Sequence, residues 1–269
     1  MPEGLKSDGM NKQVSIVLVF GFFLAISCKK NSTTPVTPVI PGSATNLTGK
    51  VNLYDDKGIA ITDKSGVSVT ISNRYNDSVF TITTDTSGSY TFVSKVYGVY
   101  DIEFSKSTLG TLKVPGFTHY YNPNTPNSPN IVPVQQLGAL STTEITAVTY
   151  VDSTYNGLPG SSFTLTVSTD PSTNNRAYFR CFLSSDSALD NTHYTAYTTV
   201  RSIISNNATF GFTHDDLVNG LGFITGQTVY LRVYGESVQS NDYFDDKTGK
   251  RVFPNLNPSS PQTISFKVL

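Results

Sequence analysis

The chain has 269 residues and a formal net charge of −1, and only 14% of its residues are charged, against about a quarter in an average soluble domain. A nearly neutral chain of this kind offers no electrostatic basis for binding nucleic acid or an anionic lipid surface. The length is sufficient for two domains of about 100–130 residues each.

The amino-terminal segment has the layout of a secretory signal peptide. An apolar run from Val14 to Ser27 is too short to span a bilayer as a mature helix and ends at Cys28. A small residue directly before a cysteine resembles the lipobox of bacterial lipoproteins, although Ala25 stands where leucine is usual. The resemblance implies cleavage after residues 1–27 and a diacylglyceryl thioether on the sulfur of Cys28. The alternative is an ordinary signal peptide with a chance cysteine.

Residues 28–45 combine three prolines with serine and threonine, a composition that predicts a semi-extended tether. We expect the amino-terminal end of the mature chain to bind the membrane through acyl chains on Cys28 and not through a transmembrane helix. Lys29 after the cysteine favours the Gram-negative outer membrane, with the periplasmic and outer faces both open. We expect translation to start at Met10.

With Cys28 lipidated, Cys181 has no disulfide partner, so the stability of the folded part must come from apolar cores.

Residues 46–134 show period-two alternation interrupted by turn-forming residues, which predicts short strands with one buried face. Four segments in order resemble the carboxypeptidase regulatory-like domain: Gly49–Val51, Gly66–Ile71, Thr83–Phe92 and Gly98–Phe104. The resemblance implies a transthyretin-like, immunoglobulin-like sandwich. It also implies an accessory module without catalytic residues of its own.

Residues 135–141 are predicted to be a linker, and residues 142–269 again alternate. The stretch Gly226–Tyr234 is similar to the penultimate strand of fibronectin type III domains, and His214–Gly220 is predicted to form one helical turn. The predicted fold class is therefore all-β, with two tandem antiparallel β-sandwich domains of the Ig-like or prealbumin-like kind after a lipoprotein signal peptide.

The sequence indicates no catalytic residues and no cofactor. His119, His193 and His214 fall in different predicted loops, and there is no Gly-x-Ser-x-Gly elbow. The absence of His-Glu-x-x-His and Cys-x-x-Cys argues against zinc.

Calcium has weak candidate ligands in two acidic loops, at Asp55 and Asp56 and at Asp245 and Asp246. The alternative is that these residues only form solvated turns, which aspartate favours for backbone reasons.

Exposed tyrosines are the candidate ligand-binding residues, because sugars stack on aromatic faces. They are Tyr120, Tyr121, Tyr194 and Tyr197, and the alternative for each is packing at a sheet edge. The sequence thus predicts a non-catalytic envelope lipoprotein that acts as an adhesion, assembly or structural binding module. A glycan-binding accessory lipoprotein of a polysaccharide-uptake system and an enzyme with an unrecognised site remain as alternatives.

Replacing Cys28 by alanine should abolish incorporation of radiolabelled palmitate, because the thioether to diacylglycerol forms on that sulfur. The matched control is Cys181→Ala, which should label like the unaltered chain. Labelling that survives Cys28→Ala would contradict the predicted anchor.

Overall fold

The computed structural model describes residues 45–94, 96–125, 127–168, 171–172, 175–259 and 263–269. The predicted signal peptide, Cys28 and nearly all of the tether lie outside these residues. In the part of the chain that is described, no helix is both long and apolar enough to cross a membrane.

Two sheets build the first half of the described chain. The strands are β1 (Thr45–Tyr54), β2 (Ala60–Ile61), β3 (Ser68–Asn73), β4 (Val79–Thr83), β5 (Ser89–Ser94), β6 (Gly98–Ser105), β7 (Leu112–His119), β8 (Asn130–Ile131) and β9 (Gln135–Gly138). One sheet has the order β2-β1-β5, and β8 and β9 also pair with β1. The other sheet has the order β4-β3-β6-β7 and is antiparallel throughout.

The first core lies between these two sheets because alternate residues of the strands face inward. It contains Leu47 and Val51 of β1, Val69 and Ile71 of β3, and Phe104 of β6, all fully buried. The first half is therefore a sandwich of two packed sheets.

A tight turn at Asp85–Gly88 leads into β5. Gly88 has φ +83°, and a Cβ there would lie 2.1 Å from the carbonyl oxygen of Val51. Glycine alone fits this position because it tolerates both the positive φ and the close approach.

The second half contains the strands β10 (Ile145–Tyr155), β11 (Leu158–Val167), β12 (Ala177–Ser184), β13 (Ala196–Tyr197), β14 (Arg201–Ile203), β15 (Asn207–Thr213), β16 (Thr228–Gly235), β17 (Tyr243–Asp245), β18 (Lys250–Val252) and β19 (Ile264–Lys267). Among the described residues, one sheet has the order β10-β11-β15. The facing sheet has the order β13-β12-β16-β19 with β14 beside β12, and β17 pairs with β18 as a hairpin. The predicted helical turn is present as a π-helical turn at Asp216–Gly220.

Aromatic packing dominates the second core. Phe163 is fully buried, and its ring centroid lies 5.3 Å from that of Phe210 and 5.1 Å from that of Phe266. Asn156 and Gly157, both with positive φ, form the tight turn between β10 and β11, as expected for a two-residue hairpin. The predicted fold class of tandem antiparallel sandwiches is confirmed, with the parallel pairing of β1 with β8 and β9 as a local departure.

Strand β12 differs from the prediction that strands bury one face. Cys181 lies in the main second core, whereas Phe182 lies on the opposite face in a smaller cluster with Tyr234 and Phe253. Burial raises the pKa of the Cys181 thiol to about 12. Both faces of β12 are covered because two segments pack across its outer side, the one after the β17–β18 hairpin with Phe253 and the loop after β12 with Leu189.

The segment predicted as the linker begins with a strand. Gln135–Gly138 pairs with β1, and Leu137 is fully buried in the first core. Strand β8 ends at Ile131, two residues before Pro133, which has no N–H to donate. The burial of Leu137 and the pairing of all four residues with β1 place Gln135–Gly138 in the first sandwich, although this segment is largely polar in sequence.

Replacing Phe163 by alanine should lower the free energy of unfolding by about 3–5 kcal/mol, because the cavity is surrounded by rings that cannot collapse into it. Urea unfolding followed by tyrosine fluorescence provides the measurement. The control Phe244→Ala, at a ring that is 52% exposed, should cost less than about 1 kcal/mol. Equal losses in both variants would contradict the placement of Phe163.

Candidate functional site

The two sandwiches, which belong to one structural unit, meet at an interface built from backbone and amide groups. The Asn255 side-chain amide donates to the carbonyl oxygens of Gly138 and Ala139, at 2.7 Å each. The Asn241 side-chain oxygen accepts from the Gly138 N–H at 2.9 Å, and the Ser237 hydroxyl donates to the Ala139 carbonyl. Because these groups are buried, each needs a specific partner, which holds the halves in one relative position.

Close packing reinforces this interface. A Cβ on Gly138 would lie 2.3 Å from the carbonyl oxygen of Gln239. Asp56 adds a second connection, since its carboxylate accepts from the N–H and the hydroxyl of Thr142 at 3.0 and 2.6 Å and its carbonyl accepts from the Val238 N–H. The junction therefore has little room for rearrangement.

A cleft lies between the outer face of the sheet β4-β3-β6-β7 and the β17–β18 hairpin. It consists of two adjoining cavities with volumes of about 150 and 620 Å³. We call it the interdomain cleft, and the side chains that define it are Arg74, Asp101, Glu103, Lys113, Tyr243 and Asp246.

The first sandwich contributes the polar floor of the cleft. Ile102 and Phe104 face the core, so the alternate residues Asp101 and Glu103 of β6 face outward. The Lys113 ammonium group on β7 lies 3.1 Å from the Glu103 carboxylate. Burial acts to lower the pKa of Lys113. The hydrogen bond that its ammonium group donates to Glu103, together with neighbouring charges, outweighs burial, so the pKa is raised.

The hairpin contributes the aromatic wall. The Lys113 ammonium lies 5.6 Å from the centre of the Tyr243 ring, and burial raises the pKa of the Tyr243 hydroxyl. Phe244, which also lines the cleft, is 52% exposed. Tyr75 is 61% exposed at the other end of the cleft. The cleft thus combines aromatic surface with charged donors and acceptors.

Arg74 connects the two sides of the cleft. Its guanidinium Nε lies 2.6 Å from Asp101 Oδ1 in the first sandwich, and its Nη2 lies 2.7 Å from Asp246 Oδ2 in the hairpin. The hydrogen bond to Asp101 is the main cause of the raised pKa of Arg74. The planar guanidinium uses separate N–H groups for the two carboxylates, which a lysine could not do with the same geometry.

A buried ion pair supports the root of the hairpin. Arg180 Nε donates to Glu236 Oε2 at 3.0 Å, and both side chains are nearly inaccessible to solvent. The guanidinium lies 4.6 Å from the centre of the Phe253 ring, just after β18, and donates to the Thr198 carbonyl oxygen. Burial raises the pKa of the Glu236 carboxyl to about 7 despite the attraction of Arg180.

The structure separates the four tyrosines that the sequence proposes for ligand binding. Tyr120 is 53% exposed on the first sandwich, and the Tyr121 ring packs 6.0 Å from that of Tyr97. Tyr194 and Tyr197 pack against the small cluster beside β12, with their ring centres 5.6 Å apart. Among these tyrosines, Tyr120 has the largest exposed surface, and none lines the interdomain cleft.

The four calcium candidates are engaged in protein contacts. Asp55 accepts from the N–H groups of its own turn, and Asp56 binds Thr142. Asp245 accepts from the N–H of Lys247 and the hydroxyl of Thr248, and Asp246 pairs with Arg74. Within the described residues there is no cluster of three or more His, Cys, Asp or Glu that could hold a metal ion.

The three histidines lie in separate environments. His119 is buried with its Nδ1 2.8 Å from the Asn130 side-chain oxygen, and His193 is exposed beside Asp190. His214 lies two residues before the π-helical turn. The structure does not bring them together.

Sequence reasoning missed Tyr243, Arg74 and Lys113. From the sequence, the acidic loop beside Tyr243 is a candidate only through the carboxylates of Asp245 and Asp246, although the adjacent Tyr243 and Phe244 are an aromatic signal. The pairing of Arg74 with Asp246 joins residues 172 positions apart, and no local pattern encodes it.

No protein-family model and no curated protein matches the chain. Solved structures that resemble it include a "putative carbohydrate binding protein" from Bacteroides uniformis, with 12% identity, 84% coverage of this chain, 100% of that one and a TM-score of 0.29. A DUF3823 family protein from Parabacteroides merdae has 10% identity, the same coverages and a TM-score of 0.28. The major pilin SpaD from Corynebacterium diphtheriae has 13% identity, covers 83% of this chain and 67% of the pilin, and has a TM-score of 0.28. TM-scores this low establish neither a common fold nor a common function.

Replacing Arg180 by methionine should lower the free energy of unfolding by about 3–5 kcal/mol, because it leaves Glu236 buried without its counter-charge. The matched control is Arg251→Met, which breaks the more exposed pair with Asp242 and should cost less than about 1 kcal/mol. Chemical denaturation checks both values. An unchanged free energy of unfolding in Arg180→Met would show that the pair of Arg180 and Glu236 does not support the hairpin.

Proposed function

We propose that the chain is a non-catalytic binding protein of the bacterial envelope that holds a neutral oligosaccharide in the interdomain cleft. The observation that carries this proposal is the combination of an aromatic wall at Tyr243 with charged donors and acceptors on the facing sheet. Binding sites generally pair apolar surface with a few fixed polar groups, and the cleft has this composition.

Sugar chemistry matches the groups in the cleft. The apolar C–H face of a pyranose packs against an aromatic ring. Its hydroxyl groups donate to carboxylates such as Asp101 and Glu103 and accept from cations such as Arg74 and Lys113. Hydrogen bonds with a charged partner are the stronger class, so a few of them suffice for orientation.

The charge balance favours a neutral sugar over an acidic one. The two cavities are lined by the carboxylates of Asp77, Asp101, Glu103, Asp245 and Asp246 and by three cations, Arg74, Lys113 and Lys247. Excess negative charge repels a polyanionic glycan.

The ion pairing of the cleft favours binding over hydrolysis. Glycoside hydrolysis requires one carboxylic acid to donate a proton and a second carboxylate to act on the opposite side of the bond. Here Asp101 and Asp246 share Arg74, and Glu103 pairs with Lys113. Each of these carboxylates has a cation as its partner, an arrangement that suits accepting hydrogen bonds from hydroxyl groups and not donating a proton.

The proposed location follows from the amino-terminal segment. A diacylglyceryl group on Cys28 would anchor the protein in the outer membrane, on the periplasmic or the outer face, and residues 28–45 would hold the sandwiches away from the lipid. An anchored sugar-binding protein retains polysaccharide near the cell surface. An adhesion or assembly role, which the sequence alone favoured, would use sheet edges instead of this cleft.

A glycan array followed by isothermal titration calorimetry should identify a neutral oligosaccharide that binds the full chain. Tyr243→Ala should weaken that binding about tenfold or more, a loss of about 1.4 kcal/mol, because the stacking surface is removed. The matched control is Tyr120→Ala, which truncates an exposed tyrosine outside the cleft and should leave affinity unchanged. Affinity that depends on Tyr120 and not on Tyr243 would contradict the assignment, as would binding to no glycan.

A further inference from the structure

Strand β4 is an open edge of its sheet. Within the described residues it pairs with β3 alone. The ladder runs from the pair of Ser72 and Val79 to the pair of Ser68 and Thr83 without a register shift. Its five residues, Val79–Thr83, are uncharged and contain no proline. A regular apolar edge of this kind offers its unpaired backbone to another strand.

Strand β10, an edge strand of the second sandwich, is blunted, in contrast to β4. Strand β10 has three register irregularities along its pairing with β11, and the exposed Asp152 stands among them. Bulges and charges are the usual means by which an edge avoids further pairing. Strand β4 has neither within its length.

Two hydrogen bonds determine which backbone groups of β4 face outward. The Ser78 carbonyl accepts from the Asn73 N–H at 3.0 Å, and the Thr84 N–H donates to the Val67 carbonyl at 3.1 Å. Even-numbered residues of β4 therefore direct their backbone groups to β3. In an antiparallel ladder the alternate residues point the other way, so Val79, Thr81 and Thr83 present their N–H and C=O groups outward over about 13 Å.

Exposed apolar side chains accompany this backbone edge. Val79 is 59% exposed and Phe80 is 37% exposed. The Phe80 ring lies 4.9 Å from that of Phe92 on β5, the edge strand of the facing sheet, where Val93 is 64% exposed. An added strand would cover apolar surface in addition to pairing its backbone.

The flanking charges decide between a second copy of the chain and a different partner. Asp77 precedes the edge and Asp85 follows it, and Arg74, the cation just before Asp77, is paired with Asp101 and Asp246. If two copies of the chain paired their β4 strands antiparallel with Thr81 opposite Thr81, Asp77 of each copy would lie opposite Asp85 of the other. Like charges opposite each other destabilise a strand pair, so a self-pair is disfavoured.

We propose that β4 accepts an extended segment of a different protein as an additional antiparallel strand, and that this segment has alternating apolar residues and a basic residue at each end. The backbone N–H and C=O groups of Val79, Thr81 and Thr83 would form the hydrogen bonds to the added strand. The basic ends lie near Asp77 and Asp85. This proposal does not rest on sugar binding, although Asp77 also lines the cleft.

The direct test titrates the full chain with a nine-residue peptide of alternating valine and threonine that has lysine at each end. Amide hydrogen exchange followed by NMR should show protection at Val79, Thr81 and Thr83, while Phe80 and Ile82, already bonded to β3, should change little. A peptide with glutamate at each end should bind at least tenfold more weakly. Protection at the β5 amides instead, equal binding of both peptides, or no binding would overturn the proposal.

A variant pair isolates the backbone contribution. Thr81→Pro removes one outward N–H and should weaken peptide binding tenfold or more, whereas Thr81→Ala keeps that N–H and should bind within about twofold of the unaltered chain. If Thr81→Pro does not fold, the lysine-ended peptide with methylated backbone amides gives the same test on the unaltered protein. Undiminished binding of that peptide, or a dimer formed through β4 in sedimentation measurements, would contradict the proposal.

Discussion

The polar contact between the two sandwiches is the constraint on which the rest of the structure depends. The backbone of Gly138 is buried, and that of Ala139 partly buried, against the side chains of Asn241 and Asn255, which bond the Gly138 N–H and the carbonyl oxygens of both residues. A buried backbone group without a partner costs far more than a well-formed hydrogen bond contributes. Sliding one sandwich over the other would break several such bonds together, so one arrangement is selected. That arrangement brings the β17–β18 hairpin beside the first sandwich and thereby creates the interdomain cleft.

The second sandwich supports the hairpin from within. Arg180 and Glu236 form an ion pair under Phe253, and Tyr194 and Tyr197 pack around the same ring. These tyrosines fill a small core on the outer side of β12 and contribute to stability. The aromatic surface available to a ligand is found on the hairpin itself. This division explains why a tyrosine-rich chain offers few tyrosines in its cleft.

The first sandwich carries two distinct surfaces on one sheet. Strand β3 contributes Ser72 to the cleft through its outer face, and its neighbour β4 forms the open edge. The outer face presents charged and aromatic side chains at the cleft, whereas the edge presents backbone groups with acidic residues at its ends. Asp77 lies between the two surfaces, since it lines the cleft and precedes the edge.

The sequence by itself determined the all-β class, the alternation that builds the first core around Val69 and Phe104, and the turn at Asp85–Gly88, because local periodicity and turn chemistry depend on neighbouring residues only. It did not place Gln135–Gly138 in the first sheet, bury both faces of β12, or reveal Tyr243 as a wall of a cleft. Each of these depends on a partner far away in the chain, such as Arg74 for Asp246 or Asn255 for Gly138. Tertiary structure decided them, because hydrogen bonds and ion pairs between distant residues form only once the sheets have packed.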